Sequence, residues 1–503
     1  MDRGFPRRDF LRTASIAGAT LGGWELFREG APAADDAKVG PELVRLRPEL
    51  EPVVRWIEET PRDRVFEKAV AELKGGLSYR LLLGGLFLAG IRNVQPRPVG
   101  FKFHAVLVVN SAHYLAQSAP VTERLLPLFW ALDNFKSAQA RDVEEGDWAL
   151  GPVDEARVPK PHLAREQFVR AMEAWDVDGA DVAIAGLCRG FGAAETMEPL
   201  WRMAVRDQRD IGHKPIFAAQ SWRTLQAIGW EHAEPVLRCL AYGLLDLGND
   251  RPGPIGPYEA NLKNAAEIGD AWQTGAPDPD ATLALLQTLR QATPEEASAE
   301  AVKLLAKGVA PGSIWDAVLL FSSELMMRNP GIIALHATTA ANSLHFIYGA
   351  SGDETTRKLA LLQAVGWQPL YRERIKGPEP VAIDALPIPD HDASPPDLQA
   401  VERIFDAVGR DRGKAAAETL GYLSRGGSPL ALFDAASRMI FHKGTDSHDY
   451  KYGAAIWEES LNTTDPRWKP RLAAAAMYNL PGASRPDSPL MIRAREAVGA
   501  VLG

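Results

Sequence analysis

A chain of 503 residues, 46% hydrophobic and 24% charged, is long enough to bury a large core, and that balance fits neither a disordered nor a collagen-like protein. Its formal net charge of −9 argues against nucleic acid as a partner, because a protein that tracks phosphates is normally basic. Two cysteines, with no C-x-x-C and no C-x-x-C-H, leave no disulfide framework, no iron–sulfur signature and no covalent haem attachment.

The first feature along the chain is Arg7-Arg8-Asp9-Phe10-Leu11-Arg12, followed by a mildly apolar stretch from Ala14 to Trp24 and a small-residue site at Ala31-Pro32-Ala33. Residues 1–33 resemble a twin-arginine signal, the bacterial route that exports proteins already folded. The resemblance implies a periplasmic or secreted protein and the twin-arginine machinery as a partner. It also carries a hint, since that route is often used when a metal or cofactor must be inserted before crossing. The stretch is too short for a permanent membrane span, and so is the apolar run Leu81–Ile91, which reads as a buried helix.

Helical patterns then recur. Ala-rich helices are expected at Val65–Lys74, Ala180–Arg189, Ala299–Lys307 and Lys414–Arg425, each closed by a basic-Gly step. Those glycines, Gly75, Gly190, Gly308 and Gly426, are 115, 118 and 118 residues apart. A second helix follows in each unit, at Tyr79–Ile91, Thr196–Arg206, Ser313–Met327 and Pro429–Phe441. A third begins at a histidine, and a fourth spans Thr122–Phe135, Ala233–Leu247, Thr355–Trp367 or Lys469–Leu480. Pro- and Gly-rich connectors run over Val143–Ala164, Gly248–Ala281 and Lys376–Asp397. Asp176-Val177-Asp178-Gly179-Ala180-Asp181 glances at a calcium loop but lacks the remaining ligands, and reads as a helix-starting turn. No sustained alternation of Val, Ile and Thr suggests strands. The expected fold is all-α: four related units of about 115 residues, arranged as a duplicated pair. Residues 40–250 would hold the first pair and 280–485 the second, packed as one body.

The repeat also carries the candidate chemistry. His104-x5-Asn110-Ser111-x-His113-Tyr114 returns 232 residues later as His336-x5-Asn342-Ser343-x-His345-Phe346, and His213 and His448 stand 235 residues apart. Pro98 and Gly100, Pro330-Gly331, Pro215 and Thr445-Asp446-Ser447 place these histidines near helix starts. There the helix dipole disfavours imidazolium and leaves the neutral ring that binds metal or acts as a base. At 100° per residue, Ser111, Gln220 and Ser343 share the face of the histidine seven positions earlier, and Glu459 shares the face of His448. His113 and His345 fall on the opposite face. A duplicated fold sets equivalent residues opposite each other, so His104, His213, His336 and His448, with Glu459, form a candidate site for a first-row transition metal. Without a metal, the same four histidines are candidate catalytic bases. Cys188 and Cys239 both fall in the second unit and either form one disulfide in an oxidising compartment or stay free.

No G-x-S-x-G, H-E-x-x-H, Walker loop or G-x-G-x-x-G after a strand is present, so serine hydrolase, zincin and NTPase readings lack support, and flavin and nicotinamide cofactors have no signature. Phe103-His104 through His113-Tyr114, Gly212-His213 through Leu225, and Leu335-His336 through His345-Phe346 resemble the questin oxidase-like family in helix pattern and histidine placement across most of residues 60–480. That resemblance implies an oxygenase-like enzyme acting on phenolic compounds, with the repeated histidines polarising or deprotonating a phenol. The function expected is therefore an exported oxidoreductase acting on a small organic substrate. The alternative is a non-catalytic periplasmic repeat protein that binds a metal, a small ligand or a protein partner.

Overall fold

The computed structural model describes residues 40–248, 250–376, 382–388 and 399–502. The twin-arginine segment, His391 and most of the Lys376–Asp397 connector lie outside the described residues. Among those residues every regular element is helical, with a single isolated bridge between Ala276 and Val309, so the fold is all-α as the sequence predicts.

Local chemistry sets many of the helix ends. The Ser78 hydroxyl accepts from Leu81 N and starts Tyr79–Asn93, and Thr293 with Glu296 forms a capping box at the head of Pro294–Ala306. The Asp176 carboxylate accepts from Gly179 N and opens Val177–Gly190, which makes that acidic stretch a cap rather than a calcium loop. Tyr79–Asn93 is buried along most of its length, as expected of the Leu81–Ile91 run, and no described helix is long and apolar enough to cross a membrane. The Gly248–Ala281 connector is not structureless: it contains the helix Tyr258–Glu267 and a 3-10 turn at Asp270–Thr274. Trp272 in that turn is buried and donates to Glu354, so apolar packing orders what Gly and Pro content alone marks as loop.

Four helices make an inner ring. They are His104–Leu107 continued by Val109–Ala116, Arg209–Ile228, Ile332–Ala350 and Ser447–Asn462, called here the His104, His213, His336 and His448 helices. Each packs on the next around a closed circuit, the His448 helix returning to the His104 helix. Outside the ring stand packed helix pairs such as Pro161–Glu173 with Val177–Gly190 and Pro279–Leu289 with Pro311–Arg328. The chain segments before and after residue 260 meet within the ring, where Arg223 pairs with Glu458 at 2.6 Å, and outside it, where Arg202 pairs with Asp353 at 2.8 Å.

All four ring helices run the same way. Each carries its histidine near its N-terminal end, and the residue seven positions on (Ser111, Gln220, Ser343 or Ala455) lines one shared pocket. The ring therefore stacks in layers, with imidazoles in one and small or polar side chains two turns further along.

Candidate metal centre

The histidine layer begins with backbone geometry. Gly100 has φ +138°, and a Cβ there would stand 3.2 Å from His213 Cε1, so the chain passes the ring closely only because the residue is glycine. Phe101 follows at φ +46°, and the neighbouring Lys102 anchors on Asp142 at 2.7 Å. This turn aims the Phe101 carbonyl at His104, whose Nδ1 donates to it at 2.8 Å. In the His213 helix, Asp210, Ile211 and Gly212 are all left-handed, with φ of 54°, 52° and 85°. Two of the three are not glycine, and such strain persists only where the surroundings hold it. Tyr371 does so by donating to Ile211 O at 2.9 Å. The strained turn points the Asp210 carbonyl at His213 Nδ1. His336 Nδ1 donates to Ile332 O at 2.7 Å, one turn earlier in its own helix. His448 Nδ1 meets the carboxylate of Asp446, which also caps the helix through His448 N.

These partners fix the tautomers. A carbonyl oxygen only accepts, so Nδ1 carries the proton in His104, His213 and His336, and each neutral ring presents a bare Nε2 lone pair. His213 Nε2 lies 3.1 Å from His104 Nε2 and 2.9 Å from His336 Nε2. His448 Nε2 is buried without a hydrogen-bond partner. Its ring centroid is 4.4 Å from that of His104 and 5.2 Å from that of His336. His104, His336 and His448 each offer a ring nitrogen within 4.8 Å of the others, with His213 wedged between two of them.

Lone pairs at 2.9–3.1 Å repel unless a cation lies between them. A proton is the poorer candidate. Burial holds His104, His213 and His336 well below the ordinary histidine range, and the nearby Lys451 ammonium and neighbouring imidazoles lower them further. A metal ion fits the spacing. With metal–nitrogen bonds of about 2.05 Å, two ligands stand about 2.9 Å apart at a right angle and about 3.3 Å apart at the tetrahedral angle. All-imidazole donors suit zinc, copper, iron, cobalt or nickel and are poor ligands for magnesium or calcium. The Nδ1 contacts to carbonyls and to Asp446 are the outer contacts that orient metal-binding imidazoles.

The structure thus brings His104, His213, His336 and His448 into one layer, and it does not bring Glu459 there. The Glu459 carboxylate accepts from Asn342 Nδ2 at 2.9 Å and pairs with His345 Nδ1 at 2.7 Å. Eleven residues of helix put it on the right face but about 16 Å further along. His345 stacks on Trp315, and His113 contacts Tyr79 and Gln117, so both stay off the histidine layer. Burial works against a charge on His345, but Glu459, Glu458 and Asp316 together hold it above the usual range. Cys188 and Cys239 are free thiols, both raised by burial. Of the aromatic residues near these helices, Tyr114 reaches the shared pocket, whereas Trp222 packs between Trp201 and Trp230, and Trp457 stacks on Phe433.

Sequence reasoning passed over Lys451. It sits three residues after His448 on the inward face, is buried, and its Nζ has no hydrogen-bond partner. Burial lowers it to about 7, with Asp446 acting in the opposite direction. A lysine one turn from a ring histidine, among small and aromatic residues, was the available signal. Beside it lies a cavity of ≈ 30 Å³, lined by Ser111, Gln220, Thr339, Ser343 and Lys451, with Arg223 and Glu458 on its wall further along the ring. No family model, no curated protein and no solved structure matches this chain, so its chemistry is read from these residues alone.

Proposed function

We propose that His104, His213, His336 and His448 together bind one first-row transition-metal ion, and that the protein is a metal-dependent enzyme of the oxidoreductase class. The observation that carries the metal is the cluster of Nε2 lone pairs at 2.9 and 3.1 Å whose Nδ1 protons are already committed elsewhere. When bound, such an ion supplies Lewis acidity and, for copper or iron, one-electron chemistry. The chain's own residues orient the ligands, exclude bulk water and leave a polar cavity next to the site. A cavity of ≈ 30 Å³ takes about two water-sized molecules or one dioxygen. A phenolic substrate of the kind the questin oxidase-like resemblance implies would therefore approach from the outer edge, where the His448 side chain is 17% exposed and Phe101 and Ile332 face solvent.

The four helices with their equivalent histidines favour descent from a duplicated pair. Residues 1–33, read as a twin-arginine signal, fit export of a protein folded around its metal before it crosses to the periplasm. Fusing those residues to a reporter, and changing Arg7 and Arg8 to Lys, tests that route.

Elemental analysis of the purified protein tests the metal. One ion per chain is expected, lost in the His104→Ala/His336→Ala double variant and kept in His113→Ala. Wild-type protein without bound metal after exposure to each candidate ion would sink the proposal. A non-catalytic metal-binding protein is the second reading, favoured by four protein ligands where catalytic zinc sites usually offer three. Exchange of a bound water, read by relaxation of a paramagnetic substitute ion, separates the two: a closed site shows none.

A further inference from the structure

We propose that the cavity one to two helical turns beyond the histidine layer is a binding site for a small monoanion of formate size, held by the Lys451 ammonium and the Thr339 hydroxyl. The site goes beyond the metal reading and stands without it.

Three observations carry it. Lys451 is a buried amine whose nitrogen has no hydrogen-bond partner, and it lines the cavity. An isolated buried ammonium is costly and tends to shed its proton, and an anion in the adjoining space is what holds it charged. The carboxylates that could neutralise it are already engaged. Asp446 holds His448, and Glu458 is held by Arg223 at 2.6 Å and by Asn342 at 2.7 Å. The other free polar atoms converge on the same space. Thr339 Oγ1 is buried without a partner, and so is Gln220 Oε1, whose amide nitrogen donates to Ser111 Oγ at 3.2 Å. Thr339 offers a donor to an anion, and Gln220 an acceptor to the ammonium that holds it.

Charge and volume narrow the occupant. Four neutral imidazoles around a divalent ion leave two positive charges, and Lys451 in its protonated form adds a third nearby. Asp446 is the only carboxylate that touches the histidine layer among the contacts described above. A monoanion beside Lys451 reduces that excess. The cavity of ≈ 30 Å³ holds about two water-sized molecules, which matches an anion of three heavy atoms.

Titration calorimetry with sodium formate, on both metal-depleted and zinc-loaded full-length protein, tests the site, with formamide as the neutral counterpart of equal size. One formate per chain is expected, with formamide at least tenfold weaker. Lys451→Met should weaken formate by at least tenfold at unchanged zinc content, and Thr339→Val by a few-fold. Formate binding as tight in Lys451→Met as in the wild type, equal binding of formamide, or no formate binding in either form of the wild type would each overturn the proposal. If Lys451→Met fails to fold, Thr339→Val with the formamide comparison decides. If no preparation holds metal, the metal-depleted titration decides alone, so failure of the metal reading and failure of the anion site are told apart.

Discussion

His213 Nε2 lies 2.9 Å from His336 Nε2 although both rings donate their Nδ1 protons to backbone carbonyls. Two bare lone pairs at hydrogen-bond distance have a direct spectroscopic consequence. In metal-free protein at neutral pH, nitrogen-15 NMR of the ring histidines should report the Nδ1–H tautomer for His104, His213 and His336. Zinc should then shift the Nε2 resonances and leave the Nδ1 protons in place. Nε2–H tautomers in the metal-free protein would mean that ring-to-ring hydrogen bonds, not a shared cation, resolve the contact.

Asp446 touches the site through a single ring. Its carboxylate faces His448 Nδ1, and the contact holds Asp446 at about 2 despite its burial. Asp446→Asn keeps a helix cap but removes the charge that makes His448 a stronger ligand. The expected outcome is a 10- to 100-fold loss of metal affinity, of the order typical for such outer partners. Competition against a chromophoric chelator measures it, with circular dichroism checking that the helix persists.

The ring itself is legible in the sequence because a spacing near 115 residues sets four histidines at one register, and the start signals at Gly100, Gly331 and Asp446, with Pro215 two residues after His213, place them near the N-terminal ends of their helices. Helical arithmetic also assigns His113 and His345 correctly to the far face. The same arithmetic fails for Glu459, because 100° per residue gives the face of a helix and not the distance along it. Lys451 leaves no repeated signal, since Leu107, Ile216 and Thr339 occupy the equivalent places. The left-handed turn at Asp210–Gly212 is equally hidden, because a β-branched residue such as Ile211 rarely adopts positive φ and nothing in Asp-Ile-Gly marks three such residues in a row.

That turn gives a sharper test than a ligand substitution. A Cβ at Gly212 would stand 2.6 Å from Tyr371 Oη and 2.8 Å from Ala340 Cβ, at a φ of +85°. Gly212→Ala is expected to cost about 1–3 kcal/mol from backbone strain alone. It should also weaken the metal, because the Asp210 carbonyl that orients His213 moves with the turn. Chemical denaturation measures the first effect and chelator competition the second. Lost stability at unchanged metal affinity would separate the turn from the site.

Glu459 serves as the internal contrast. Glu459→Gln removes the foremost of the charges that hold His345 above the usual range, so His345 should titrate lower in the folded variant, as NMR of its ring would report. Metal content should stay at one ion per chain, because His345 and Glu459 lie outside the histidine layer. Loss of metal from folded Glu459→Gln protein would restore that carboxylate to the site.

Acid should unfold the metal-free protein through the ring histidines. His104, His213 and His336 are held well below 6.5 by burial, with Lys451 and neighbouring rings adding to it, so the unfolded chain binds protons that the folded chain refuses. Their contribution is intact above about pH 6.5 and is lost as pH falls from there toward the folded values, at up to about 1.4 kcal/mol per pH unit for each ring. His345 works the other way. Its folded value is raised, so its pairing with Glu459 stabilises fully below about 6.5 and fades as pH rises through the folded value. Among the histidines, five lowered by burial (His104, His113, His213, His232 and His336) against one raised leave destabilisation on acidification. Denaturation midpoints at pH 7.5 and 5.5 should therefore separate more in wild type than in His336→Gln, where one ring is gone and the other titrating groups are the same. Bound metal should shift the loss to lower pH, since protons must then displace the ion as well. An equal pH response in the two proteins would show that the rings take up protons while folded, and would return the 2.9 Å contact to a shared proton.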